Sequence, residues 1–378
     1  MNRTELDAHL REAFRWFHSH PELSYEEYET TKKIREILTK DGIEILPYEL
    51  ETGVIAVVRG ALPGPVQALR ADIDALPITE ETHLPYQSCT PGKMHACGHD
   101  YHITSGIGIA ILLQQNRQNL RGTVKFFFQP AEESSLGALK ILETDAFDDV
   151  QQTWGLHAAP NFAAGVLSIS PHYVAAAVDR FLIHVNGIGC HGARPHEGAD
   201  PIPAACAMVQ SLQTVVSRNV DPFHPAVLSV TRIEAGKTWN VIPVSAELEG
   251  TIRTMQREDR VLMEQRLREV AAQTAAAYGC SAEVEWIPGS PAVDNDPQMA
   301  AFAKEIGTQC GFEVVPSDQS MGGDDFSFYQ QDRPGCYIRV GTGIGASIHQ
   351  PDFKVDMDVI LPTAEYFARL ITENAGRI

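Results

Sequence analysis

The spacing of apolar residues divides the chain into helices, strands and loops. Leu6, Leu10, Phe14 and Phe17 recur at helical intervals behind Thr4. This pattern predicts an amphipathic first helix with Thr4 as its N-cap. The chain therefore opens with a helix that packs one face on a core.

A second helix is predicted over residues 25–40, because Ser24 and Glu27 match a capping box and basic residues precede Gly42. Apolar runs of helical or strand length continue from there. In order they predict strands at 54–58 and 66–71, a helix at 103–116, a strand at 123–128, a helix at 136–144, a strand at 153–157, a helix at 296–311, a strand at 336–341 and a helix from about residue 358. Strands alternating with helices predict an α/β fold whose sheet is flanked by helices.

The pattern changes between residues 179 and 289. Here we predict strand 180–186, helix 201–218, strands 226–235 and 245–254, helix 258–278 and strand 281–287. The order β-α-β-β-α-β is that of a ferredoxin-like α+β unit. We therefore expect residues 179–289 to be a domain inserted into a larger one, which consists of residues 1–178 and 290–378.

Length and charge narrow the class of protein. With 378 residues the chain is long enough for two domains. Its 30 Lys and Arg against 49 Asp and Glu give a formal net charge of −19, which argues against nucleic acid or anionic membranes as partners. The start of the chain is polar, and no window has the apolar length of a membrane span. The seven cysteines are irregularly spaced, which is typical of reduced thiols. We expect a cytoplasmic protein.

Residues 94–102, Met-His-Ala-Cys-Gly-His-Asp-Tyr-His, hold three imidazoles, a thiol and a carboxylate. Cys97 and His99 flank Gly98, and a helix is expected to begin near Asp100. A buried structural role is one interpretation of such residues. Because a thiolate and an imidazole one residue apart can converge on one ion, we favour a site for Zn²⁺ or a neighbouring first-row metal.

Further candidate ligands follow predicted strands. Asp72 and Asp74 end one strand, Glu132 and Glu133 follow the next, and His157 ends a third. Adjacent glutamates in a loop are often only solvated surface. Strand ends are, however, where α/β folds place their chemistry, and one carboxylate could bind metal while its neighbour takes a proton from the attacking water. His349 lies on another loop after a strand, whereas a histidine such as His191, beside Gly192, could be only a turn residue.

Taken together, these motifs resemble the hippurate hydrolase and auxin-conjugate hydrolase branch of the dinuclear metallopeptidases. The resemblance runs from end to end of the chain. It includes His18–Glu27, Arg70–Pro77, Met94–His102, Pro130–Glu133, His191–Pro203, Asn240–Pro243, Gly250–Thr254, Gly323–Tyr329 and His349. It implies a zinc-exopeptidase-like catalytic domain with a mixed sheet and, over residues 179–289, a ferredoxin-like lid and dimerisation domain.

The resemblance also implies a metal cofactor and a role for each candidate site residue. Two divalent ions per subunit, Mn, Zn, Co or Ni, would be held by Cys97, His99, Glu133, His157 and His349, with Cys97 bridging them. Glu132 matches the general base, Asp74 the carboxylate behind the metal site, and His191 the lid histidine that supports the reacting carbonyl. Asn240 and Arg253 match positions that hold the substrate and its carboxylate.

The expected reaction is hydrolysis of the amide bond of N-acyl amino acids or related small-molecule conjugates. A dipeptidase or carboxypeptidase on the same fold is the enzymatic alternative, and a metal-stabilised binding protein the non-enzymatic one; a base such as Glu132 argues against the latter. Related enzymes imply a homodimer formed through the insert, or a higher oligomer, with His191 acting across the interface.

The sequence departs from the family pattern at three places. Cys190 stands where a glycine usually precedes the lid histidine, and Ser134 and Ser135 replace glycines after the paired glutamates. Gln350 and Lys354 alter the terminal His-x-Pro-x-Phe-Asp pattern. None removes a ligand or the base, so these departures bear on substrate choice.

Overall fold

A computed structural model describes residues 1–377, and the chain divides into two compact units. The first unit contains Met1–Val174, Val293–Asp318 and the described chain from Asp325 onward. The second contains Ala175–Ala292 and Gln319–Asp324.

Residues 1–377 form eight α-helices and sixteen β-strands. The helices are α1 (Arg3–Ser19), α2 (Tyr28–Lys40), α3 (His99–Gln115), α4 (Gly137–Leu142), α5 (Pro201–Asn219), α6 (Arg257–Ala277), α7 (Pro297–Gln309) and α8 (Ile360–Asn374). The strands are β1 (Glu44–Ile45), β2 (Val54–Arg59), β3 (Leu62–Asp72), β4 (Arg121–Gln129), β5 (Gln152–Ala159), β6 (Val166–Ser168), β7 (His172–Ala175), β8 (Ala177–Asn186), β9 (Cys190–His191), β10 (Ala226–Ala235), β11 (Val241–Ile242), β12 (Ser245–Thr254), β13 (Ser281–Pro288), β14 (Val293–Asn295), β15 (Glu313–Val315) and β16 (Gly335–Gly341). None of these helices is both long and apolar enough to cross a membrane.

The first unit is built on an eight-stranded mixed sheet in the order β1-β2-β4-β3-β5-β16-β6-β15. The central strands β4, β3, β5 and β16 are parallel, whereas β2 pairs with β4 in the antiparallel sense. Helices α1, α2, α3, α7 and α8 bury apolar side chains in one core with this sheet. The predicted mixed sheet flanked by helices is confirmed.

The first helix begins at Arg3 because Asn2, and not Thr4, is its N-cap. Asn2 Oδ1 accepts a hydrogen bond from the Glu5 amide at 3.0 Å, and Glu5 Oε2 accepts one from the Asn2 amide at 2.8 Å. This reciprocal pair satisfies two amides that helix formation leaves free. The predicted cap was wrong, but the four apolar residues that predicted the helix are all buried.

The second helix begins later than predicted, at Tyr28. Ser24 does not cap it, because its hydroxyl donates to Asp74 Oδ2 at 2.7 Å. Glu27 is likewise engaged elsewhere, where its Oε1 accepts a hydrogen bond from the Ala131 amide at 2.8 Å. The two polar residues that match a capping box therefore contact the loops that follow β3 and β4.

The second unit contains the predicted order of elements: β8, α5, β10, β12, α6 and β13. Its sheet, in the order β10-β12-β8-β13, is antiparallel throughout, which is the ferredoxin-like arrangement. Apolar residues of the sheet and of α5 and α6 form a second core. The predicted limits, 179 and 289, lie inside this unit, and its role as a lid and dimerisation domain stays a prediction.

Candidate metal centre

Three neighbouring parallel strands bring the candidate ligands to one edge of the sheet. Asp74 follows the end of β3, Glu133 lies in a single 3₁₀ turn just after β4, and His157 lies near the end of β5. Because β4, β3 and β5 are adjacent and parallel, their carboxyl ends meet at the same edge. The sheet topology explains why residues far apart in sequence converge.

The turn into α3 adds a thiol and an imidazole to this edge. Gly98 adopts the left-handed conformation with φ +87°, and a Cβ atom there would lie 2.7 Å from the Cβ of Ala158. Glycine is therefore required both for the backbone conformation and for the close approach to β5. This turn places Cys97 Sγ 3.5 Å from His157 Nε2.

The five predicted metal-binding residues fall into two groups that share one member. Cys97, His99 and His157 form the first group, and Cys97, Glu133 and His349 the second, with the ligand atoms of each group within 4.8 Å of one another. Cys97 is common to these two groups, and His99 and Glu133 come together again in a further group with Glu132. The assignment of Cys97 as the bridging ligand stays a prediction. His349 reaches the group from a left-handed backbone conformation, φ +65°, and its amide donates to the Ala96 carbonyl at 2.7 Å.

Several donor atoms of the cluster are suited to a cation. His99 Nε2 is buried and makes no hydrogen bond, an arrangement that is unfavourable unless another partner binds. Glu133 Oε1 is also buried, and its neighbour His349 Nε2 lies 3.4 Å away. Burial also raises the pKa of the Cys97 thiol well above its ordinary value, whereas a bound metal would favour the thiolate. The mixed sulfur, nitrogen and oxygen set fits zinc and its first-row neighbours.

The two buried imidazoles, those of His99 and His157, differ in the protonation state that their surroundings favour. Burial opposes protonation of His99, but Asp72, Cys97 and Asp74 raise its pKa well above the ordinary value. Burial together with nearby His102 lowers the pKa of His157 well below it. His157 is therefore neutral, as a metal ligand must be, whereas protons compete with metal at His99.

Asp74 and Glu132 lie beside this cluster. Asp74 Oδ1 is 3.2 Å from His99 Nδ1, and its Oδ2 accepts a hydrogen bond from the Glu133 amide at 3.0 Å. Glu132 is largely buried, with Oε2 3.9 Å from His99 Nε2. The paired glutamates are thus directed at the cluster and are not a solvated surface pair.

The remaining three predicted site residues lie in the second unit. His191 on β9 pairs with Val241 on β11, and Asn240 immediately precedes β11. The Asn240 carbonyl accepts a hydrogen bond from the Gly192 amide at 2.9 Å. Arg253 is not part of this group: it lies on β12, eight residues beyond Ser245, which is about 26 Å along a strand.

Asp72, a candidate ligand by sequence, belongs to a buried polar network whose other members have no role predicted from the sequence. Arg70 donates to Asp72, to Asp325 Oδ1 at 2.7 Å and to Gln129 Oε1 at 3.0 Å. Burial alone would raise the pKa of Asp72, but Arg70, His99 and His102 hold it well below its ordinary value. An arginine within a strand predicted to be buried is the sequence signal that could have indicated this network.

Fold and site together define an α/β protein with a cluster of metal-binding side chains at the carboxyl edge of its sheet. The sequence pattern of Peptidase family M20/M25/M40 matches residues 68–373. The chain is 47% identical over 354 residues to the N-acetylcysteine deacetylase of Bacillus subtilis (strain 168), covering 93% of each chain. It is 38% identical to the IAA-amino acid hydrolase ILR1-like 4 of Arabidopsis thaliana, covering 95% of this chain and 84% of the relative.

A solved structure gives the same result. The crystal structure of Bacillus subtilis YXEP protein, a dinuclear metal binding peptidase from the M20 family, matches with a TM-score of 0.91 and 42% identity, covering 99% of this chain and 100% of that one. The chain therefore belongs to Peptidase family M20/M25/M40 and is a hydrolase. The family resemblance and the fold class expected from the sequence are confirmed, while the roles of individual side chains stay predictions.

Proposed function

We propose that this protein is a metal-dependent amidohydrolase that removes the acyl group from N-acyl amino acids. The observation that carries the proposal is the pair of ligand groups sharing Cys97 beside the buried Glu132. Two divalent ions would be held by Cys97, His99, Glu133, His157 and His349. When bound, they would supply Lewis-acid stabilisation of the amide carbonyl and lower the pKa of water.

The protein's own side chains then move the protons. Glu132 accepts a proton from the attacking water as the carbon–oxygen bond forms, and delivers it to the amine as the carbon–nitrogen bond breaks. Asp74 orients the His99 ring, and His191 donates to the oxyanion that develops on the carbonyl. Asn240 holds the substrate, and Arg253 binds its carboxylate through two parallel hydrogen bonds.

The relatives narrow the substrate class. The names N-acetylcysteine deacetylase and IAA-amino acid hydrolase both describe substrates in which an amide joins an acyl group to an amino acid. We therefore place N-acetyl amino acids, N-acetylcysteine among them, first among the candidates. A binding protein that lacks catalysis has no use for Glu132 beside the ligands.

The second unit supports a shared site in a homodimer. Asn240 lies in the connection between β10 and β12, which enters β12 at Ser245, whereas Arg253 lies about 26 Å from Ser245 along the strand. One small N-acyl amino acid cannot contact both ends of a single subunit's sheet. In a symmetric dimer, one substrate would contact Arg253 from one subunit and His191 with Asn240 from the other.

The two-stranded ribbon of β9 and β11 that carries His191 also has exposed apolar side chains, as a subunit interface would. Trp239 is 94% exposed, and Ile188, Val241 and Val244 are exposed as well. Apolar side chains clustered on a surface are typical of protein interfaces. We propose a homodimer that covers this ribbon, in the cytoplasm, where the seven unpaired cysteines would remain reduced.

The proposal is tested by removing metal and comparing substrates. Dialysis against a strong chelator should abolish hydrolysis of N-acetylcysteine, and adding Mn²⁺, Zn²⁺, Co²⁺ or Ni²⁺ should restore it. N-benzoyl amino acids and dipeptides assayed in parallel separate an acyl-amino-acid hydrolase from a dipeptidase. Full turnover in a sample shown to be metal-free would refute the site.

A further inference from the structure

His102 lies next to the candidate metal ligands and belongs to neither of the two groups that share Cys97, although its ring also lies close to Asp72 and His99. It is on the first turns of α3, three residues after His99, so both side chains lie on the same face of the helix. Its ring is fully buried, and its centroid is 4.8 Å from that of His157. Both of its ring nitrogens have hydrogen-bond partners, and these partners show which nitrogen carries the proton.

These hydrogen bonds fix the tautomer of His102. The Ala158 amide donates to His102 Nε2 at 2.8 Å, so this nitrogen is an acceptor and carries no proton. The proton is therefore on Nδ1, which donates to Asp72 Oδ1 at 2.5 Å. Asp72 is held in turn by Arg70. The imidazole thus joins a buried carboxylate to the backbone of β5.

The Ala158 amide needs such a partner because of how the sheet ends. Strands β3 and β5 pair only as far as Arg70 and Gly155. Beyond that point the backbone of β5 lacks a strand neighbour on the β3 side, and an unpaired buried amide is costly. His102 occupies the place that a continuing strand would have taken.

The same peptide segment holds the adjacent ligand. His157 Nδ1 donates to the Ala158 carbonyl at 2.7 Å, which leaves His157 Nε2 unprotonated and directed at Cys97 Sγ, 3.5 Å away. The amide of Ala158 is fixed by His102, and its carbonyl sets the ring of His157. A change at His102 is therefore expected to alter the direction of His157 through Ala158, in addition to any effect of the direct contact between the two rings.

We propose that His102 is a positioning residue for the metal site, acting on His157 through the peptide groups of Ala158. The inference rests on the proposed metal site, and it adds a residue that binds neither metal nor substrate. Partners that orient a ligand in this way commonly change metal affinity by about 10- to 100-fold when removed.

The test uses three variants of the full-length protein. His102→Leu removes both hydrogen bonds, whereas His102→Gln keeps an acceptor for the Ala158 amide and a donor for Asp72. Tyr101→Phe is the matched control, because Tyr101 is equally buried on the same helix and its hydroxyl bonds to Thr363 Oγ1 at 2.8 Å, away from the ligands. Zn²⁺ dissociation constants are measured by competition with a chelator.

We expect His102→Leu to bind Zn²⁺ about 10- to 100-fold more weakly, His102→Gln to recover most of the affinity, and Tyr101→Phe to match wild type. Wild-type affinity in His102→Leu would overturn the inference. A wild-type protein that binds none of Mn²⁺, Zn²⁺, Co²⁺ and Ni²⁺ would instead refute the proposed function.

A second measurement requires no variant, so the inference stays testable even if His102→Leu does not fold. Long-range proton–nitrogen NMR correlation on the ¹⁵N-histidine-labelled protein loaded with Zn²⁺ reports which ring nitrogen carries the proton. We expect Nδ1–H for both His102 and His157. An Nε2–H tautomer at His102 would exclude the acceptor role and overturn the inference.

Discussion

The Asp74 carboxylate joins the ring of His99 to the backbone of Glu133. Its Oδ1 lies 3.2 Å from His99 Nδ1, and its Oδ2 accepts hydrogen bonds from the Glu133 amide at 3.0 Å and from the Ser24 hydroxyl at 2.7 Å. One buried side chain therefore orients an imidazole from α3 and a carboxylate from the loop after β4. This arrangement leaves His99 Nε2 directed at the other candidate ligands.

Asp74→Asn should therefore weaken metal binding. The amide removes the negative charge that stabilises a metal-bound imidazole, and we expect a loss of affinity of about 10- to 100-fold. Ser24→Ala is the control, since it removes one hydrogen bond to the same carboxylate but not its charge. Equilibrium dialysis with Zn²⁺ measures both, and equal affinities for the two variants would contradict the role of Asp74.

The paired glutamates should separate into a base and a ligand. Glu132→Gln should keep its metal but lose about 10²- to 10⁴-fold in rate, the usual scale for removing a general base. Glu133→Gln should lose metal as well, because Glu133 belongs to a ligand group with Cys97 and His349. Metal content by atomic spectroscopy, read beside the rate, tests the assignment; the reverse pattern would show that the roles are exchanged.

The large elements of the fold could be predicted from sequence because their apolar periodicity is long. The ten-residue strands β8, β10 and β12 and the long helices α5 and α6 give repeated signals over many residues. Strands β9 and β11 have two residues each and carry too little pattern to be detected. They pair only because the loops around them bring them together, and that is a tertiary effect.

Site residues could be predicted where their combination of side chains is unusual. They could not be predicted where the same residue types also serve ordinary structural roles, such as helix capping. Cys97 and His99 lie on either side of a glycine, and this unusual pairing of a thiol with an imidazole predicted a metal site. Ser24 and Glu27, by contrast, have the residue types and spacing of a helix cap, yet they contact Asp74 and the Ala131 amide. Only the folded chain shows which of the two uses of these residues is realised.

His18 should make stability depend on pH in the alkaline range. It is buried between Asp100 and Glu80, at 2.6 and 3.1 Å. Burial alone would lower the pKa of His18, but the two carboxylates raise it to about 9 from 6.5. Since the folded pKa is above the unfolded one, the stabilisation is complete below about pH 6.5 and is lost as the pH rises through about 9.

The expected loss is on the order of 3 kcal/mol across that range. Urea unfolding of the chelator-treated protein between pH 6 and 10 measures it, with His18→Gln as the comparison. The variant should be less stable at neutral pH and should lack this alkaline decline. An identical pH profile in both proteins would show that His18 is not the group responsible.

The turn after the paired glutamates should be stabilised by a glycine. Ser135 has a left-handed backbone, φ +63°, which is costly for a residue with a Cβ. Ser135→Gly should therefore raise the free energy of unfolding by up to about 1 kcal/mol. Ser134→Gly is the matched comparison: Ser134 Oγ donates to the Ala131 carbonyl at 2.8 Å, so its loss should destabilise the protein. Denaturant unfolding of both variants measures the contrast, and a destabilised Ser135→Gly would contradict the strain argument.

The proposed dimer leads to a prediction about activity in mixed subunits. Glu132 and His191 lie in different units of the chain, and the proposal assigns His191 to the site of the partner subunit. Glu132→Gln removes the base and His191→Ala the oxyanion donor, so each homodimer should be nearly inactive. Differently tagged chains of the two variants can be co-expressed and the mixed dimer purified through both tags.

If His191 acts across the interface, one of the two sites in the mixed dimer combines an intact Glu132 with an intact His191, whereas the other carries both lesions. The mixed dimer should then turn over N-acetylcysteine although neither parent does. If His191 acts within its own chain, every site carries one lesion and mixing restores nothing. Metal content must be verified in all three dimers, because an empty site would also be inactive. A metal-loaded mixed dimer no faster than its parents would exclude the shared site and leave the hydrolase assignment unchanged, since that assignment rests on the family and not on the dimer.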